Sequence, residues 1–251
     1  MSATITLAFG SLALNSTNNI TISGISEKSS KPVQATNIPV THGAIAEEAK
    51  IGPKTITIQG DIVGSGYEAL RTNIDALKAG LMNGIQNLTK DDERYIACQL
   101  KDFSYAYDHL TLRATWTASF IAHFPFWLSQ TLNTDTRTPT TGVGYTITNA
   151  GNAPTRVKIA ITAPGGGITD AMQIENTTRA EICSYRGTVA ATKILIIDNR
   201  VASDDFAVTN DSASDLANFE GDFINLDAGA NTIELTGTMG STVVSWRDAW
   251  Y

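Results

Sequence analysis

The sequence predicts a mainly β protein in two domains: a β-sandwich with one packed helix (α+β) over residues 1–130, then an antiparallel β-sandwich over residues 144–251. Three observations predict this. Short segments that alternate polar and apolar residues recur along nearly the whole chain, the pattern of strands with one buried face. One stretch, about residues 65–83, instead carries its apolar residues at helical spacing. Between the halves, residues 131–143 are rich in Thr with almost nothing to bury, and they read as a linker.

The first half opens with "ATITLAFGSLAL", which sets Ile5, Leu7 and Phe9 on one face and Thr4 and Thr6 on the other. "NITISGI" and "KTITIQGDIVG" repeat the pattern, the latter with Ile56 and Ile58 inward. Between them Pro39, Gly43, Gly52 and Pro53 punctuate turns. The Ala-Glu-Glu-Ala piece in that segment reads equally as a weak helix or as the tip of a hairpin. In the helix, Ser65 and Glu68 stand at capping-box spacing. Tyr67, Leu70, Ile74, Leu77 and Leu81 form an apolar stripe, and Gly84 is the stop signal. Two more strands follow: "RYIACQLKDFSYAYDHL", then a segment with Leu112, Ala114, Trp116, Ala118 and Phe120 on one face. Pro125 closes that ladder because it has no N–H to donate.

The second half consists of short strand-like runs separated by turn residues, with no helix of useful length, which is the pattern of an antiparallel sandwich. Val243, Val244 and Trp246 read as a closing strand. Trp250 and Tyr251 read either as cover for its end or as exposed aromatics.

Composition limits the function. Net charge is −7, unsuited to gripping nucleic acid. Residues 1–130 hold 10 Lys and Arg against 11 Asp and Glu, whereas residues 131–251 hold 8 against 14, so the acidity lies in the second half. Cys98 and Cys183, one per half, suggest buried reduced thiols and no disulfide framework. The first residues lack signal-peptide features, and no apolar run is long enough to span a membrane.

Motifs for catalysis or cofactors are sparse. His42, His109 and His123 are scattered, without metal-ligand spacing. The Gly165–Gly167 run lacks a P-loop lysine and reads as a flexible hairpin loop. Asp198, Asp204, Asp205, Asp211, Asp215, Glu220, Asp222 and Asp227 form an acidic stretch without EF-hand spacing; it reads as a solvated rim, with calcium the sharper alternative. No catalytic residue, metal or cofactor is expected. The sequons at Asn15, Asn19, Asn87, Asn176 and Asn210 carry little weight without a secretory signal.

The ordered series of elements resembles the distal tail proteins of long, non-contractile-tailed phages. The series comprises Ile38-Pro39, Gly43, Gly52, a strand ending in Gly60, a helix with Leu70 and Leu77, and the Phe120…Pro125-Phe126-Trp127 turn. In the second half, "YTITNAGNAPTRVKIAI", "ILIIDNR", "FINLDAGANTIELTG" and a terminus with Trp246 and Trp250 resemble that family's galectin-like domain. Phe124 stands where Asp is commoner in the family. The resemblance implies a structural virion protein: a homohexameric ring at the distal end of the tail. It joins the tail tube protein to tail-tip or baseplate proteins, and DNA passes through its channel without specific binding. The rival reading is a glycan-binding sandwich, perhaps with hydrolase activity, using Trp246 and Trp250 as a stacking platform beside acidic groups.

Overall fold

The computed structural model describes residues 6–15, 20–31, 35–37, 44–46, 51–91, 93–108, 110–200 and 206–251. The chain divides into two compact units, Met1–Trp127 and Leu128–Tyr251.

In the first unit the strands are β1 (Leu7–Phe9), β2 (Leu12–Ala13), β3 (Ile20–Lys28), β4 (Ala35–Asn37), β5 (Ala44–Ala46) and β6 (Lys54–Val63). The helix α1 (Tyr67–Leu81) follows, then β7 (Gln86–Lys90), β8 (Arg94–Asp108) and β9 (Arg113–Ala122); β10 (Trp127–Ser129) begins as the unit ends. The sheet order is β2-β1-β7-β8-β9-β6-β3, and each neighbouring pair is antiparallel. β4 and β5 pair with each other as a separate ladder.

β8 serves two half-sheets. Its start pairs with β7, from Lys90↔Arg94 to Gln86↔Cys98. Its remainder pairs with β9, with a register shift between Leu100 and Asp102. A bulge of this kind bends a strand and increases its twist, letting one strand pass from one half-sheet to the other. The core lies between: Leu7, Phe9, Leu88 and Ile96 come from one side, Ile56, Ile58, Ile62, Trp116 and Phe120 from the other, all buried. The rings of Phe9 and Phe120 meet at 5.0 Å.

Helix α1 buries Leu70, Ile74, Leu77 and Leu81, as the spacing predicts. A Cβ at Gly80 would lie 2.7 Å from the end of the Leu12 side chain, so any larger residue there would push Leu12 aside where the helix meets β2. Two expectations for this helix fail. Its N-cap is Gly66, without a side-chain cap, so the Ser65–Glu68 capping box does not form; Ser65 lies one position too far out. Tyr67 leaves the stripe and is exposed, because it is the first helical residue and its ring tilts towards Tyr107, 6.4 Å away.

The second unit contains β11 (Asn133–Arg137), β12 (Val143–Asn149), β13 (Thr155–Thr162), β14 (Met172–Asn176), β15 (Glu181–Tyr185) and β16 (Ile194–Asp198). Then come β17 (Ala207–Asn210), β18 (Ala213–Ser214), β19 (Phe219–Gly221), β20 (Asn225–Leu226), β21 (Gly229–Thr236), β22 (Thr242–Trp246) and β23 (Ala249–Trp250). One sheet runs β11-β22-β13-β16-β17-β18 and the other β12-β21-β14-β15-β19. Between them Ile147, Ile159, Ile161, Ile174, Leu195, Ile233, Leu235, Val244 and others form one buried cluster, the two-layer sandwich expected.

Three readings of this half are corrected. The stretch read as a linker contains β11, whose Asn133–Arg137 pairs along all of β22; it has no core side chains because it is a polar edge strand. β22 is not a closing strand but an interior one, inserted between β11 and β13. The glycine run is not a hairpin loop: it joins β13 and β14, which lie in different sheets.

Polar side chains fasten the loops of this unit. Asn149, Asn176 and Asn231 are fully buried. Asn149 Nδ2 donates to the Ala153 carbonyl at 2.8 Å, and Asn231 Nδ2 donates to the Asp227 and Gly229 carbonyls. Asn176 Nδ2 donates to the Asn225 carbonyl at 2.6 Å. Glu181 accepts from the Asn225 backbone N–H and from Arg179, and Arg179 also pairs with Asp227. Each amide replaces backbone partners that a loop cannot supply. Burial also removes Asn176 from any role as a glycan acceptor.

Candidate assembly surface

The strands β8, β9, β6 and β3 form a half-sheet with one covered face and one open face. Partners directly opposite in an antiparallel pair share a face. Thr57 lies opposite Ser119, Gln59 opposite Thr117 and Asp61 opposite Thr115; Asp102 and Ser104 face Ser119 and Thr117 from β8. The open face is therefore mostly small hydroxyl and amide side chains. Thr57 and Ser119 share a hydrogen bond at 3.2 Å, and Asp61 accepts from the Arg113 guanidinium. That pair cancels two of the few charges on this face.

The covered face continues beyond the helix. Phe103, Tyr105 and Tyr107 of β8 lie opposite Ala118, Trp116 and Ala114, which are core residues. They nevertheless remain partly open, with Tyr105 38% exposed. Phe103 and Tyr105 stand 5.9 Å apart, Tyr105 and Tyr107 meet edge-on at 5.3 Å, and Lys78 of α1 lies over the Tyr105 ring. Next to this row a groove of about 570 Å³ is lined by Lys78, Leu81, Met82, Leu100, Phe103 and Tyr105. β8 also pairs with β10. Trp127 of β10 belongs to the opposite end of β8, since its ring lies near Lys90, the partner of Arg94.

The other end of the half-sheet is β3, which pairs only with β6 among the described residues. Its covered face carries Ile22 and Ile25, opposite Gly60 and Ile58, and both are half-exposed. Because every neighbouring pair is antiparallel, β3 and β8 run in opposite directions. Sequence reading took "DFSYAYD" and "NITISGI" as ordinary strands. The period-two aromatics and isoleucines were visible, but not the fact that both rows end on sheet edges.

The positions that carry the family resemblance fall mainly in cores and turns, not on one surface. Ile38, Pro39 and Gly43 lie outside the described residues, as do His42 and His109. Gly52 donates its N–H to the Ser30 carbonyl at 2.8 Å. At Gly60 a Cβ would lie 2.0 Å from the Thr21 carbonyl oxygen and 2.8 Å from the Trp116 ring, so only glycine lets β3 and Trp116 close on that point. Leu70, Leu77 and Phe120 are core residues, and Pro125, Phe126 and Trp127 form a buried turn. Trp127 Nε1 donates to Glu27 at 2.9 Å, and the same carboxylate pairs with the buried Lys54 at 3.2 Å. Trp246 is 7% exposed in β22 and Trp250 is half-buried, so the pair does not form an open stacking platform. Tyr251 is exposed.

The acidic stretch is mostly partnered. Asp198 pairs with Arg200, Asp211 with Lys193, Glu220 with Arg186 and Asp227 with Arg179. Asp215 accepts from Tyr185, Asn210 and Asn218; Tyr185 foremost among them holds its carboxyl below the usual value. Asp204 and Asp205 lie outside the described residues. Among the described residues no group of three His, Cys, Asp or Glu side chains could hold a metal, and no helix is long and apolar enough to cross a membrane. His123 sits 3.4 Å from Gln99. Burial pushes the thiols of Cys98 and Cys183 up to about 12, which keeps both protonated and unreactive.

Both units are built of antiparallel β-sheets, a fold that known proteins share. Residues 150–250 match the family described as the siphovirus-type tail component, C-terminal domain. The resemblance to distal tail proteins read from the sequence is borne out. The chain is similar to the crystal structure of the SPP1 Dit (gp 19.1) protein, with a TM-score of 0.74 and 16% identity over 99% of this chain and 100% of that one. It is also similar to a chain in the phage p2 baseplate structure in its activated conformation with Sr, with a TM-score of 0.53 and 9% identity over 98% of each chain. No curated protein sequence matches the chain.

Proposed function

We propose that this chain forms a six-membered ring at the distal end of a siphophage tail. There it joins the tail tube to tail-tip or baseplate proteins and leaves a central channel for DNA. The observation that carries this reading is the β8-β9-β6-β3 half-sheet. Its strands alternate in direction, and its two ends differ in composition: an aromatic row on β8 and an isoleucine row on β3. Copies can therefore add head to tail, and a repeated heterologous contact closes into a ring when the rotation allows. Its open face supplies a lining suited to passage: short hydroxyls and amides, with Arg113 neutralised by Asp61. A polyanion meets few fixed cations there and so is not held.

The similar structures, a hub adsorption apparatus in phages that infect Gram-positive bacteria and a phage baseplate, support the distal position. The charge distribution supports the division of labour. Residues 1–130 are nearly neutral and crowd together at little cost, whereas residues 131–251 carry the acidity and suit a larger radius. The activity is structural, with no catalytic step. Electron microscopy of the purified full-length protein tests this reading: six-fold rings with a central hole are expected, and monomers at micromolar concentration, or a ring of another symmetry, would contradict it.

A further inference from the structure

We propose that Asn83 is a site of spontaneous covalent modification: the backbone nitrogen of Gly84 attacks its side chain, the carboxamide is lost as ammonia, and aspartate or isoaspartate remains just beyond α1. The inference does not depend on the ring reading.

The sequence singles out this pair. Asn83-Gly84 is the only Asn-Gly step in the chain. Closure requires the nitrogen of the following residue to reach the side-chain carbonyl carbon, and a side chain on that residue would stand in the way. Glycine has none and allows the close approach.

The local structure leaves the pair free to react. Leu81 ends α1 fully buried, whereas residues 82–85 are all exposed. Gly84 has φ +71°, and a Cβ built on it would meet nothing within 4 Å, so its backbone stands in open solvent. The Met82 N–H bonds to the Lys78 carbonyl, but among the described residues no acceptor takes the Gly84 N–H. The Asn83 carboxamide is tethered by one exposed bond, from Nδ2 to the Gly80 carbonyl at 3.2 Å. Other asparagines are placed differently. Asn149, Asn176 and Asn231 are buried with their carboxamides engaged, and Ala150, Thr177 and Thr232 follow them.

The reaction consumes water and needs no oxidant. Hydroxide takes the Gly84 amide proton, and the nitrogen forms a bond to Asn83 Cγ. The Cγ–Nδ2 bond breaks, and the leaving nitrogen takes a proton from water, restoring hydroxide, and departs as ammonia. Water then opens the succinimide ring. Cleavage between the Gly84 nitrogen and Cγ gives aspartate. Cleavage between that nitrogen and the main-chain carbonyl carbon gives isoaspartate, whose main chain is one methylene longer.

Either product replaces the Asn83 donor by a carboxylate beside the last carbonyls of α1, where the helix end is already negative. Isoaspartate also lengthens the turn into β7, where Gln86 Nε2 donates to the Asn83 carbonyl at 3.0 Å. Met82 and Gly84 line the groove beside Tyr105, so the new charge arises at its lip.

The test incubates the full-length protein in warm, mildly alkaline buffer and follows every asparagine by peptide mass spectrometry and by isoaspartyl methyltransferase labelling. Asn83 is expected to convert ahead of all others, faster as hydroxide rises, and at a rate close to that of the urea-unfolded chain. Gly84→Asn should lose most of the conversion, because asparagine tolerates the left-handed backbone but carries a side chain that hinders attack. Asn83→Gln, which leaves the backbone untouched, should remove most of the label. Earlier conversion at another asparagine would overturn the inference. So would conversion of Asn83 in the unfolded chain alone, since the fold would then protect the turn. An unchanged rate in Gly84→Asn would rule out the route through the Gly84 nitrogen.

Discussion

In the first unit the half-sheet ends on one side in the Phe103, Tyr105 and Tyr107 row of β8 and on the other in the Ile22 and Ile25 row of β3. In the second unit the sheets end in the two residues of β18, the three of β19, the Asn-Thr-Asp-Thr-Arg sequence of β11 and the seven residues of β12, Val143–Asn149. Short or charged edge strands are devices that discourage pairing with other chains. The second unit also fastens its loops internally, through Asn149, Asn176, Asn231 and the Arg179–Glu181 pair. The difference teaches that similar β-rich composition can end a sheet in apolar rows, as on β8 and β3, or mostly in short or polar strands, as on β18, β19 and β11.

The largest expected effect comes from removing residues 242–251. This deletes β22 from between β11 and β13 and leaves two new edges over an open core. The second unit should lose cooperative unfolding and the protein should aggregate, as followed by circular dichroism and light scattering. A soluble, cooperatively folded truncation would break the contrast, because it would mean that the second unit tolerates open edges.

Next is Leu77→Ala in α1. Leu77 is fully buried, so the lost transfer energy and the cavity should cost about 2–5 kcal/mol, seen as a lower denaturant midpoint. An unchanged midpoint would mean that the helix does not cover the first unit's core. A smaller effect is expected from Asn231→Ala, which strips the Asp227 N–H and the Gly229 carbonyl of their side-chain partner and leaves the Asp227 carbonyl with Asn149 alone. Leaving such groups unsatisfied costs about 1–3 kcal/mol. The loss should appear in the unfolding of the second unit without a change in self-association; altered association would blur the division between the units.

The smallest effect belongs to Tyr185→Phe. Hydrogen bonding from Tyr185 foremost holds the Asp215 carboxyl below its ordinary 3.8. A depressed carboxyl stabilises the fold above its unfolded value and loses that contribution as pH falls through the folded one. The variant should therefore lose stability at neutral pH and show a shallower further decline below about pH 4. Parallel acid limbs for the two proteins would show that the bond does not tune Asp215.

Much of the fold was legible because burial imposes a period. Ile56 and Ile58, Ala114 to Phe120, and Leu70, Ile74, Leu77 and Leu81 are buried as alternation and helical spacing predict. Pairing order was not legible. β11 looked like a linker because an edge strand has no need of apolar residues, and β22 looked terminal because chain order does not reveal insertion between β11 and β13. The capping box failed because the helix starts at Tyr67, a one-residue matter that spacing does not resolve. The candidate surface was half legible: the aromatic and isoleucine rows stand in the sequence, but only topology shows that both are edges. The buried asparagines gave no signal, since each acts through loop carbonyls brought near by the fold.

The central claim, that the first unit carries the self-associating edges and the second does not, is tested most directly by amide hydrogen exchange of the full-length protein at dilutions below and above its assembly concentration. The account predicts that protection rises on assembly in Ile20–Lys28 and Asp102–Asp108 and stays unchanged in β18, β19 and β11. Protection gained at the edges of the second unit, with β3 and β8 still exchanging freely, would contradict it.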